Sequence, residues 1–92
     1  MELKSYTLPV VTLADQVGEY KYYTLESIAG IRLIKSLTDA ELRACKRNTA
    51  TFRSIHAVMG FSTNPTWIKN RACEELYNRN LIDHEELHIL TR

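Results

Sequence analysis

Two cysteines, two prolines and three glycines are all that this 92-residue chain holds of the residues that staple, stiffen or loosen a backbone. Cys45 and Cys73 are too few for the disulfide framework of a small secreted domain. Both are therefore expected as free thiols in a reducing cytoplasm. No apolar run approaches the roughly 20 residues needed to cross a bilayer. The opening MELKSYTLPVV lacks both the apolar stretch and the small-residue cleavage site of a secretory signal.

Charge of a single sign is missing too. A net charge of +1 argues against a chain that binds nucleic acid through a wholly cationic surface. No Gly-rich phosphate loop, G-x-S-x-G elbow, H-E-x-x-H or paired acidic motif occurs. Cys45, His56, Cys73, His84 and His88 are the right ligand types for zinc, but the close cysteine pair that usually anchors such a site is absent. The cysteines are therefore read as small core residues, and His56 as a satisfied side chain on a buried stripe. On one continuous helix Cys45 and His56 would lie roughly 16 Å apart along the axis, too far for a nucleophile and its base. The expectation is one domain over residues 1–92, with no enzymatic activity, no metal and no cofactor.

What the chain does have is an uneven distribution of charge. Arg43, Lys46, Arg47, Arg53, Lys69, Arg71 and Arg79 occupy the middle against Glu74 and Glu75. Compensating acids fall before them (Glu2, Asp15, Glu19, Glu26) and after them (Asp83, Glu85, Glu86). Such polarity predicts a cationic face if the fold gathers these side chains.

Residues 5–14, rich in Val, Leu, Tyr and Thr, read as a strand whose Pro9 belongs at a sheet edge. DQVG forms a turn and EYKYYT the returning strand, with Tyr20 and Tyr22 on one face and Tyr23 on the other. The stretch 30–35 leans towards a third strand because of its β-branched residues and Gly30, with a helix capped by Thr24 as the other reading. Next, Thr38-Asp39-Ala40-Glu41 has the capping-box pattern. Leu42, Cys45, Thr49, Phe52, His56 and Met59 keep one apolar phase, which predicts a single helix of some six turns closed by Gly60. A compact three-helix unit would instead break this stretch near 48–51. Asn64-Pro65 starts another helix, with Ile68, Ala72 and Leu76 inward and Trp67 towards the outer side, either packed under the N-terminal hairpin or serving as an interface anchor. Asp83 with Glu86 repeats the cap signature and predicts a short last helix to Leu90. The fold class expected is α+β: an N-terminal antiparallel β-hairpin or small sheet packed on a helical hairpin, with a short C-terminal helix.

FRSIHAVMGFSTNPTWIKNRACEELYNRNLID resembles the winged-helix DNA-binding family, including LexA-like repressors, through Ile55, Met59, Gly60, Phe61, Ser62, Asn64, Leu76, Leu81 and Ile82. The resemblance covers about a third of the chain and implies a helix-turn-helix whose second helix meets base edges. On that reading Ser62, Thr63, Asn64, Thr66 and Asn70 would face bases, with Lys69 and Arg71 on phosphates. Arg43, Lys46, Arg47 and Arg53 would add phosphate contacts. DNA binding by a small, regulatory protein is the leading expectation. The other is a small inhibitor or adaptor that docks its basic face and Trp67 on an acidic protein or a ribonucleoprotein. Phage and plasmid anti-defence proteins, such as anti-CRISPR proteins, fall in this size range. No membrane partner is expected.

Overall fold

The computed structural model describes residues 5–60 and 62–91, and those residues form helices without a single strand. Five α-helices follow one another: α1 Leu25–Lys35, α2 Asp39–Ala44, α3 Ala50–Met59, α4 Pro65–Asn78 and α5 His84–Leu90. The expected α+β architecture with its N-terminal hairpin is therefore overturned. Glu2, and Phe61 of the resemblance, lie outside the described residues.

Local chemistry explains the missing hairpin. Residues 5–24 contain only one-turn 3-10 helices, Leu13–Asp15 and Gly18–Tyr20. The Asp15 carboxylate accepts from Thr12 N–H at 2.9 Å and closes the first of these turns. Arg32 of α1 then donates to the same carboxylate at 2.7 Å and pins the segment to the helix. Hydrogen bonding to Thr12 first, and the guanidinium second, hold the Asp15 carboxyl below its usual range. Because residues 18–23 turn instead of extending, Tyr20 meets Tyr23 edge-on at 5.7 Å, while Tyr22 remains exposed. Strand propensity rewards a pleated, half-buried surface, and no partner strand supplies one here.

The stretch 30–35 is helical, contrary to the strand reading. Thr24 caps it by accepting from Ser27 N–H at 3.1 Å, and burial of Ile28, Ala29, Leu33 and Ile34 outweighs the β-branched propensities. Gly30 sits inside α1 because Trp67 comes down on it.

The single long helix is also corrected. Residues 45–48 form a turn between α2 and α3. Thr49 makes the break: its hydroxyl donates to Ala44 O at 2.9 Å, closing α2, and accepts from Phe52 N–H at 3.1 Å, opening α3. The apolar stripe survives because the turn delivers Phe52 and Ile55 to the core already holding Leu42 and Cys45. Ile55, fully buried, takes the central place that the periodicity assigned to His56.

Other boundaries match their signals. Thr38 and Glu41 form the reciprocal capping box, with bonds of 3.2 and 2.9 Å. Gly60 ends α3 at φ 100°, Asn64 caps α4 with Pro65 in its first turn, and Asp83 caps α5 by accepting from Glu86 N–H at 2.7 Å. Past the end of α4, Asn80 adopts φ 62°. Leu81 N–H then reaches Leu76 O and Asn80 N–H reaches Tyr77 O, each at 2.9 Å.

Helix α4 is the centre of the molecule, packed by α1, α2 and α5. Its Ile68, Ala72, Cys73 and Leu76 are buried. The core adds Leu33, Ile34 and Leu37 from α1 and the residues after it, Leu42 from α2 and Cys45 just past its end, and Phe52 and Ile55 from α3. No described helix is long and apolar enough to cross a membrane.

Candidate nucleic-acid interface

The break at 45–49 turns the expected helical hairpin into a unit of three helices, α2, α3 and α4, with a turn between each pair. The turn between α3 and α4 is tightly organised. Thr63 N–H donates to Gly60 O at 2.9 Å and its hydroxyl donates to Met59 O at 3.2 Å. His56 Nε2 lies 2.9 Å from Thr63 O, so the imidazole donates across the turn. Asn64 accepts from Thr66 N–H at 2.9 Å through Oδ1, which leaves its NH2 without a partner among the described residues. Ser62, Asn64, Pro65 and Thr66 are exposed, whereas Thr63 is half-buried. The first turn of α4 is thus open, while Ile68, Ala72, Cys73 and Leu76 further along it are buried.

The cations from Arg32 to Arg79 divide into two sets. Arg32 pairs with Asp15, Lys35 with Glu75, Arg71 with Glu74 and Arg79 with both Asp39 and Glu75. Arg43, Lys46, Arg47, Arg53 and Lys69 have no carboxylate partner among the described residues. These five lie around one corner. Arg43, Lys46 and Arg47 occupy the end of α2 and the turn after it, with Arg43 and Arg47 exposed. Arg53 reaches back from α3 to donate to Asn48 O at 2.7 Å. Lys69 of α4 places its Nζ 5.1 Å from the centre of the Phe52 ring in the first turn of α3. Lys46 is near enough to α4 to act on the Cys73 thiol, opposing the burial that raises its pKa; Glu86 and Glu74 add to that rise.

Three sequence-predicted contacts stand apart from this corner. Arg71 donates to Glu74 at 2.7 Å, and its Nε is buried without a hydrogen-bond partner among the described residues. Its guanidinium carbon lies 5.9 Å from the centre of the Trp67 ring. Trp67 packs under a neighbouring element, but that element is α1 and not a hairpin: the indole is half-buried against Gly30. Asn70 is half-buried. The fork that Arg71 would offer a phosphate is engaged on a neighbouring carboxylate.

Residues 79–83 turn into α5, so the described chain has no β-wing after α4. Cys45 and Cys73 are free, buried thiols. Burial first, and the charge of Glu41 second, push Cys45 up to about 11, which leaves it a protonated core residue at neutral pH. No group of three or more His, Cys, Asp or Glu among the described residues is placed to hold a metal ion. Comparison with protein-family models, with curated proteins and with solved structures finds no match to this chain.

Proposed function

We propose that this chain is a non-enzymatic protein that binds duplex nucleic acid through the corner formed by α2, α3 and the start of α4. One observation carries the reading: five cations without carboxylate partners among the described residues gather at that corner, while the cations elsewhere in α1 and α4 are paired. Phosphates supply the missing counter-charge, and releasing their condensed counterions supplies the affinity. Beside the cations, the exposed first turn of α4 offers the Asn64 amide and the Thr66 hydroxyl, groups suited to base edges in a groove. Arg43, Lys46, Arg47, Arg53 and Lys69 are the phosphate contacts on this reading. Arg71 and Trp67 fall out of the contact set because Glu74 and Gly30 occupy them.

A fluorescence-anisotropy titration of a labelled DNA duplex over a range of salt concentrations tests it. Five phosphate contacts give log affinity a slope of about −4 to −5 against log salt. Charge reversal in the double variant R47E/R53E abolishes binding. Retention of neither duplex DNA nor duplex RNA at low salt overturns the reading.

A protein partner is the second reading, favoured by a different surface. Val10, Leu13, Val17 and Tyr22 of the N-terminal segment are 88, 76, 64 and 89% exposed, an apolar display that water penalises. An inhibitor or adaptor would use that segment together with the basic corner. Loss of partner capture on replacing Val10, Leu13 and Tyr22 by Ser, with duplex binding unaffected, distinguishes it.

A further inference from the structure

Between α1 and the turn before α4 lies a cavity of about 300 Å³. It exists because residue 30 has no side chain. A Cβ there would meet the Trp67 ring at 3.3 Å and Met59 Sδ at 3.6 Å, so the indole and the thioether descend onto bare helix backbone and become walls. Leu8 of the N-terminal segment forms a further apolar wall. Polar groups sit at the rim. Glu26 is exposed in the first turn of α1 and makes no ion pair with any described residue, and Asn64 contributes its free NH2 from the far side.

Apolar walls with a few convergent polar groups are the usual composition of a small-molecule site, and this volume stands at the lower end of the range for such sites. The space equals that of roughly ten water molecules, the bulk of a single aromatic ring with a short chain. The sulfur of Met59 and the face of Trp67 favour an aromatic body. The one formal charge at the rim is the Glu26 carboxylate, which calls for a cation. Arg71 also approaches Trp67, but Glu74 neutralises it, so the ammonium belongs at Glu26 and the ring of the ligand belongs against the indole.

We propose that this cavity binds a small free arylalkyl amine, its aromatic body between Trp67 and Met59 and its ammonium paired with Glu26. Asn64 is shared with the surface proposed for nucleic acid, but the pairing at Glu26 and the contacts of the ring with Trp67 and Met59 do not rest on that reading.

Trp67 is the single tryptophan of the chain and forms a wall of the cavity, so its emission reports binding directly. Titration of the full chain with 2-phenylethylamine, excited where only tryptophan absorbs, gives a saturable change in the millimolar range or below. Phenylacetate, which has the same ring but the opposite charge, binds more weakly by more than about fivefold. Glu26→Gln weakens the amine about fivefold, the size of an exposed ion pair. Ser27→Leu, which fills the cavity from its α1 wall, removes the response while the circular-dichroism helix signal is unchanged. The proposal is overturned if 2-phenylethylamine gives no saturable change or if phenylacetate binds equally. It is likewise overturned if Glu26→Gln binds as the parent does or if a folded Ser27→Leu retains the response.

Discussion

The edge of the Trp67 indole rests on the backbone of Gly30: a Cβ added at residue 30 would lie 3.3 Å from Cη2 and 3.4 Å from Cζ3. Glycine inside a helix costs about 0.5–1 kcal/mol relative to alanine. This close contact is the physical reason α1 carries one. Gly30→Val is expected to lower stability by about 1–3 kcal/mol through overpacking. A reduced urea midpoint with unchanged m, together with a shift in Trp67 emission, would show it. Gly30→Ala is expected to stay within about 1 kcal/mol of the parent, because helix propensity offsets the milder crowding.

Arg79 ties three segments together. Its guanidinium donates to Asp39 of α2 at 2.9 Å, to Glu75 of α4 at 3.0 Å and to Lys35 O at the end of α1 at 2.9 Å. Arg79→Ala is expected to cost about 1–3 kcal/mol, since hydrogen bonds with charged groups are lost from a half-buried site. Arg79→Lys restores the charge but not the planar fork, so it recovers only part of the loss. Thermal unfolding of both variants beside the parent makes the comparison.

Cys45 gives the fold an alkaline weakness. Burial pushes its thiol up to about 11, above the ordinary range of a cysteine thiol. The folded state therefore holds this proton more tightly than the unfolded chain does. The resulting stabilisation is fully present below pH 9 and is lost as the pH rises from about 9 to 11, at up to about 1.4 kcal/mol per pH unit. Urea midpoints measured from pH 7 to 10.5 should fall more steeply for the parent than for Cys45→Ala, whose absolute stability is lower throughout. Equal slopes would remove Cys45 as the cause.

Pairing separates the cations that matter for binding from those that do not. Arg47→Ala and Lys69→Ala should each weaken duplex binding across all sequences and flatten the salt slope by about one. Arg71→Ala should leave the slope unchanged, because Glu74 already engages its guanidinium. An effect of Arg71 as large as that of Arg47 would contradict the division of the basic residues into free and paired sets.

Features written within a few residues were legible in the sequence. The capping box at Thr38 and Glu41, the Asn64-Pro65 start of α4 and the Asp83 cap of α5 each depend on a side chain reaching its own helix end. The break at Thr49 was written there too, as a capping residue type before Ala50, but an uninterrupted apolar phase hid it. The N-terminal segment misled for another reason. Its Val, Tyr and Thr content describes a pleated surface, but no partner strand is there to pair with, and a distant contact, Asp15 with Arg32, ties the segment to α1. At the candidate site, the concentration of cations was readable from composition along the chain. That Arg71 is engaged could be suspected from Glu74 three positions on. The burial of Trp67 on Gly30 joins residues from different helices, and no local pattern announces it.

Placing α4 at the centre has a kinetic consequence for the backbone amides. Neighbours on three sides must part before solvent reaches the N–H groups around Ile68, Ala72 and Leu76, so these should exchange only through global opening. Helix α5 buries none of its residues and lies at the end of the described chain, so its amides should exchange by fraying long before the rest. Hydrogen–deuterium exchange would then divide the molecule into a slow axis and a fast rim, with the exposed first turn of α4 where the two meet.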